Sequence, residues 1–211
     1  MSLSRLHYSA VDLSAFLGIP TVLGVVHGRL GELGALGVGA AAAPTLAVAW
    51  RKALAEAFSV RRWVRDVALE EPERLGRSAT EIRTFDDHTL FYADEGRARG
   101  AAFLDASPQS RPAAEVASLE GENVLEHIEA VARRLAAHGA SAYAVDVTSP
   151  DVLAAGLSVV HVVAPELCPL DVVEGGRFLG GRRMYEAAFE AGLVSRPLTL
   201  ADLNPDPHPF P

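Results

Sequence analysis

The chain has 211 residues, 49% of them hydrophobic and 22% charged, enough apolar mass for one large domain or two small ones. That composition excludes a disordered tail, a collagen-like fibre and a disulfide mini-protein. With 27 acidic against 19 basic residues the formal charge is -8, and the basic residues are scattered, so no nucleic acid partner is expected. A single cysteine, Cys168, cannot staple the chain, and no run of about 18 apolar residues is present to span a bilayer; the expected setting is cytoplasmic, with no membrane partner. Met1 to Ala10 carries Arg5 and His7 but no apolar core followed by a small-residue cleavage site, so no export signal is expected.

In chain order, Leu6 to Leu17 leads into Gly18-Ile19-Pro20 and then into Thr21 to Val26, a β-branched run that predicts a buried strand. Gly28, Gly31, Gly34, Gly37 and Gly39, followed by Ala40 to Ala43, predict a loop that ends at a helix start at Pro44. From Pro44 to about Val64, Leu46, Trp50, Ala53, Ala57, Val60 and Val64 recur at helical spacing and predict a long amphipathic helix. Glu70 to Thr84 reads as a solvated connection and Ser107 to Glu122, with Pro108 and Pro112, as a surface loop. A second amphipathic helix is predicted from about Asn123 to His138, with Val124, Ile128, Val131 and Leu135 inward and Gly139 at its end. Tyr143 to Val147 and Leu157 to Val163 are strand-like, separated by a short turn of helix, and the chain after Pro165 reads as irregular. Strands alternating with amphipathic helices predict a mixed α/β fold, with no repeat of solenoid length.

None of the strong stand-alone catalytic patterns is present: no P-loop, no HExxH, no GxSxG and no zinc-type cysteine pairs. Turning 100° per residue, Arg61 falls inside the apolar stripe between Trp50, Leu54 and Ala57, while Glu56 sits at its edge beside Lys52 and Val60. An arginine there needs an anion. Either it forms a structural ion pair or snorkels to solvent, or Glu56 binds a metal ion and Arg61 a phosphate, since magnesium takes carboxylate oxygens and guanidinium grips phosphate; spacing does not choose. Asp86-Asp87-His88 offers metal-binding groups, but in an extended chain they point to opposite faces, which favours a turn or a helix cap. His161 lies mid-strand among valines, as a satisfied core histidine or a phosphate contact at a strand end. Cys168 has no neighbouring base and is given no nucleophilic role. The alternating prolines of Pro205 to Pro211 form either a disordered, module-binding tail or a stiff rod that places the carboxylate after Pro211 accurately.

These pieces, in this order, resemble the C-terminal half of the YcaO family, and within it the azole-forming peptide cyclodehydratases. The resemblance is carried by Ala53-Leu54-Ala55-Glu56-Ala57 with Arg61, Asp87-His88 with Tyr92, and Ala144 to Asp151. It continues through Gly156 to Val160, Ala164-Pro165-Glu166-Leu167, Leu179-Gly180-Gly181-Arg182-Arg183 and Leu203-Asn204-Pro205 to Pro211, covering most of Val11 to Pro211. The resemblance implies a YcaO-type domain portion over residues 1–211 that ends in a proline-rich tail at 204–211. It implies an ATP- and Mg2+-dependent enzyme forming thiazoline or oxazoline rings from Cys, Ser or Thr of a ribosomal precursor peptide. By the same resemblance Glu56 is a metal ligand, Arg61 and His161 belong to the nucleotide site, and Pro207, Pro209 and Pro211 reach into the catalytic centre.

Two positions depart from the family pattern: Ser59 stands where glutamine is common, and His161 where a basic residue, commonly arginine, is found. Family domains run to roughly twice this length, and no glutamate pair of their first half occurs before Leu46. The resemblance therefore implies a truncated or split enzyme that needs a complementary N-terminal half, with a separate leader-binding protein as a further partner. The alternatives are a degenerate, non-catalytic scaffold that binds a partner or precursor peptide, and an unrelated α/β domain with a proline-rich interaction tail. Apolar surface left exposed where the missing half packs is expected to favour self-association.

Overall fold

The computed structural model describes residues 6–28, 32–173 and 175–211; Arg5 and Gly31, named above, lie outside the described residues. Three strands, β1 (His7–Asp12), β2 (Thr21–His27) and β3 (Leu36–Ala42), form an antiparallel sheet in the order β1-β2-β3. The glycine-rich stretch expected to be a loop therefore contains a strand. Its glycines face a helix, and their missing side chains let that helix approach. In register, Ala10 pairs with Gly24 and Gly24 with Gly39, while Val26 pairs with Gly37, which makes one sheet face a smooth track.

Helix α1 (Leu46–Glu70) lies on that track. It starts where the Thr45 hydroxyl accepts the Val48 N–H, one residue after Pro44, which therefore precedes the cap instead of occupying the first turn. Ala49, Ala53 and Ala57, spaced four apart, are fully buried and bring helix and sheet backbones together; a Cβ on Gly24 would stand 2.8 Å from the Ala53 carbonyl oxygen. Trp50, predicted for the inner stripe, is instead 45% exposed, because the small alanines take the line of closest approach. Alternation sends Leu23, Val25, Leu36 and Val38 to the opposite face, where Tyr92, Ala98, Ala101 and Phe210 cover them.

Short helices build that second layer: α2 (Phe85–Phe91) and α3 (Glu95–Ala98). The aromatic run after Asp86 is thus helical, not extended, because Thr84 caps it and Asp87 returns the hydrogen bond. Helix α4 (Val124–Ala137), one residue inside the predicted span at each end and capped by Asn123, packs Ala130 and Val131 on Leu17, Ile19 and Leu119. Strands β4 (Tyr143–Asp146) and β5 (Val160–Val163) pair antiparallel around α5 (Pro150–Ala154), and α6 (Arg182–Glu190) follows in the stretch expected to be irregular. A helix of nine residues, about two and a half turns, is short enough for the flanking glycines to mask it.

Both faces of the β4–β5 pair are exposed, including Tyr143, Val145, Val160 and Val162, and so are Val124, Leu125 and Ile128 on α4. Val124 and Ile128, expected to face inward, are thus exposed, because α4 turns Ala130 and Val131 toward the core instead. Alternating β-branched strands of this kind are built to be covered, and a two-stranded sheet by itself is marginal in water.

Candidate functional site

The sheet separates the predicted site residues into two groups. On the α1 side, Gly39 has no Cβ because one would stand 2.7 Å from the Glu56 Cβ, and this contact lets Glu56 Oε2 accept the Ala40 N–H at 2.9 Å. Glu56 is half-buried and bonded to the β3 backbone, not to Lys52 on a solvated face. One turn on, the Arg61 side chain is buried at 6% exposure and its Nη2 donates to Glu32 Oε2 at 2.8 Å, so the anion that the sequence demanded is supplied within the chain. Arg61 Nε is buried with no partner, which leaves one donor for a further acceptor.

The donor set bears on an ATP- and Mg2+-dependent reaction. Magnesium is held through one or two carboxylates together with substrate phosphates, so Glu56 suits a single contribution to such a site. Arg61 suits a phosphate only when Glu32, 38% exposed, yields the guanidinium.

On the other sheet face the C-terminal segment is seated. Pro207 is fully buried, and its carbonyl accepts the Tyr92 hydroxyl at 2.5 Å. Arg177 donates to the carbonyls of Asn204, Pro205 and Asp206 at 2.6, 3.2 and 2.5 Å. Phe210 packs into the core beneath the sheet. The His208 imidazole stacks on that of His88 with centroids 3.8 Å apart. Pro209 is half-buried and Pro211 exposed. The reading of these prolines as a free ligand for a proline-binding module gives way to an ordered strap, because the carbonyls of Asn204, Pro205, Asp206 and Pro207 each find a donor in the fold. A cavity of about 290 Å3 opens beside it, lined by Tyr92, Leu104, Asp171, Arg177 and the strap itself.

Among the described residues no hydrogen bond or ion pair joins Glu56 or Arg61 to His161 or to Pro207, Pro209 and Pro211; the sheet lies between α1 and the strap. His161 is exposed on β5 opposite Val145. The expectation of a core histidine fails because, among the described residues, no layer covers the β4–β5 pair. Asp87 takes the capping role that was one of its two readings. Its carboxylate accepts the N–H groups of Arg83 and Thr84, both at 3.1 Å, and pairs with Arg77 at 3.0 Å. His88, its neighbour, is fully buried, and burial, with the adjacent His208, pushes its pKa down. Cys168 is exposed.

Sequence reasoning missed Tyr92 as the anchor of the strap, Arg177 and Asp171. The available signal was the buried-type pairing of an aromatic hydroxyl with a proline tail more than a hundred residues away, which no local pattern encodes. It also missed a cavity of about 770 Å3, walled by Pro165 to Pro169 and by Gly180 to Arg183. Both segments had been singled out, but nothing local showed that they meet.

Burial raises the pKa of Asp87, but the N–H donors of Arg83 and Thr84, the Thr84 hydroxyl and Arg77 together hold it below the usual carboxylate range. A depressed folded value means that this carboxylate contributes stability fully above the ordinary aspartate pKa and loses it as pH falls through the lowered one. Asp87→Asn is expected to cost about 1–3 kcal/mol at neutral pH, and to shrink the difference from the parent on acidification. Thermal melts at several pH values measure this; an equal difference at all pH values would refute it.

Comparison with curated protein sequences finds no relative. Among solved structures, a heterocyclase captured with substrate and cofactor superposes with a TM-score of 0.70, at 24% identity over 97% of this chain and 25% of its own. The heterocyclase TruD superposes at 0.68, with 25% identity over 98% of this chain and 26% of its own. The chain thus spans about a quarter of the length of either. A family model described as YcaO cyclodehydratase, ATP- and Mg2+-binding, matches residues 2–168. That match takes in the sheet, α1 with Glu56 and Arg61, α2 and the β4–β5 pair, and on it the chain belongs to the YcaO family, with the mixed α/β fold of the heterocyclases.

Proposed function

We propose that this chain is one portion of an ATP-dependent cyclodehydratase that forms azoline rings from Cys, Ser or Thr of a ribosomally made precursor peptide. In that chemistry the side-chain thiol or hydroxyl attacks the preceding amide carbonyl. The resulting hemi-orthoamide oxygen takes the γ-phosphoryl group of ATP and releases ADP, and inorganic phosphate then leaves as the nitrogen gives up its proton and the C–N double bond forms. A bound Mg2+ would neutralise the phosphates. In this reading Glu56 contributes one carboxylate to that ion, the Arg61 guanidinium faces phosphate once Glu32 swings out, and His161 lies where a nucleotide contact comes from. The strap of Pro207, Pro209 and Pro211 is held ready for a catalytic centre completed from outside this chain. The complementary N-terminal half would cover the apolar β4–β5 pair, and a leader-binding protein would present the precursor.

The observation that carries this reading is the placement of Glu56, half-buried and held by β3 on the helix that the family model spans. A second reading, a non-catalytic scaffold that binds a partner or the precursor peptide, is favoured by the closed Arg61–Glu32 pair. Calorimetry separates them. Titrating ATP with Mg2+ into the full chain is expected to give Mg2+-dependent binding that weakens about 10- to 150-fold in Glu56→Gln, the worth of one charge-assisted contact. Gln keeps the bond to Ala40, so loss of fold is not the cause. Binding that ignores Mg2+ or the substitution, or no binding at all, supports the scaffold.

A further inference from the structure

Where the strap crosses α2, three side chains from distant parts of the chain converge. His88, Asp171 and His208 each offer a metal-ligating atom, and these atoms lie within 4.8 Å of one another. Both imidazoles spend Nε2 on carbonyl oxygens of adjacent residues, His88 on Val172 at 3.2 Å and His208 on Asp171 at 2.7 Å. A carbonyl only accepts, so each Nε2 carries the proton and each Nδ1 presents a lone pair. His208 Nδ1 receives the Phe210 N–H at 3.3 Å. His88 is wholly buried and makes no hydrogen bond through Nδ1, although the His208 main chain lies near the ring, and the buried Asp171 Oδ2 makes none either. A fully buried imidazole lone pair and a carboxylate oxygen without donors are costly to leave unmatched, and a cation satisfies both.

We propose that His88, Asp171 and His208 form a binding site for a divalent transition metal of the zinc class. Two imidazoles and one carboxylate are a borderline set that suits Zn2+ or Co2+ and not Mg2+, which favours oxygen alone. The neighbouring cavity, lined by Asp171 and His208, gives the ion a way in and leaves room for water as a further ligand. A metal sits in the plane of an imidazole, whereas the two rings now stack with an interplanar angle of 6°. Loading therefore turns the half-buried His208 out of the stack, and the ion ties the strap to α2 and to the 171–172 segment. This site is independent of the nucleotide reading, since it uses neither Glu56 nor Arg61.

The test uses the tag-free full chain, stripped with a chelator and titrated with Co2+. One equivalent is expected to bind with the intense visible bands of a four- or five-coordinate site, to be displaced by Zn2+ and to persist in excess Mg2+. Asp171→Asn and His208→Gln, both at positions only partly buried, are expected to keep the far-ultraviolet dichroism of the parent. Each should lose more than the about 10–100-fold in affinity that follows removal of a group which merely orients a ligand. Cys168→Ser should retain binding. Absent binding, the weak bands of a hexa-aquo-like ion, or full affinity in both ligand variants would overturn the site.

Discussion

Gly37→Ala is expected to lower the melting temperature by about 6–12 °C, from a loss of about 3 kcal/mol at about 2–4 °C per kcal/mol for a chain of this size. The reason is spatial. A Cβ at Gly37 would stand 2.4 Å from the Ala57 carbonyl oxygen and 2.8 Å from the Arg61 Cβ. Neither neighbour is the free end of a flexible side chain, so α1 itself must lift off the sheet. Lifting it strains the buried Ala49, Ala53 and Ala57 contacts, moves Arg61 against Glu32, and loosens Glu56 from Ala40. Gly180→Ala provides the control, because no atom lies within 4 Å of the position a Cβ would take and no left-handed backbone is involved; its melting temperature should be unchanged or slightly raised. Calorimetric melts of the two variants decide the matter, and a Gly37→Ala protein as stable as the parent would show that the helix does not ride on the glycine track.

Tyr92→Phe is expected to free the C-terminal strap without unfolding the rest. The substitution keeps the buried ring on the sheet and removes only the hydroxyl that donates to the Pro207 carbonyl. Proline cannot offer an N–H to re-pair that region, and the carbonyl is left buried and unsatisfied. Such a loss costs about 1–3 kcal/mol, which corresponds to a strap that opens about 5- to 150-fold more often. Hydrogen exchange at the Asp206 and Phe210 amides reports that opening directly, while exchange in β2 and α1 should stay as in the parent. Tyr143→Phe, at an exposed ring, should change neither. Equal acceleration across the whole molecule would mean that the strap is part of the global fold and not a separately opening unit.

Much of the fold was legible because its signals are local. Helical spacing from Leu46 to Val64, the Asn123 cap with Gly139 beyond the helix end, and the β-branched run at Thr21 to Val26 each depend on residues within a few turns of one another. Arg61 within an apolar stripe announced that an anion had to be near, and a turn or a cap was the favoured reading of Asp87. The glycines from Gly34 to Gly39 misled for a physical reason: glycine reads as a breaker when considered alone, and becomes a strand residue only when a helix presses on it. Paired with alanines four apart on the following helix, those same glycines carried the missing signal.

The site divides along the same line. The sequence by itself determined which groups are present: Glu56, Arg61, His161, the prolines from Pro207 to Pro211, and an ordered set of motifs that marks the YcaO family. Only the tertiary structure decided where they stand. It gave Arg61 to Glu32, left His161 exposed on an uncovered strand pair, put the strap on the face of the sheet away from α1, and drew His88, Asp171 and His208 together. Those outcomes rest on contacts between residues tens to more than a hundred positions apart. Such contacts follow from which faces of the sheet and helices must be buried together, a property of the whole chain that no local periodicity carries.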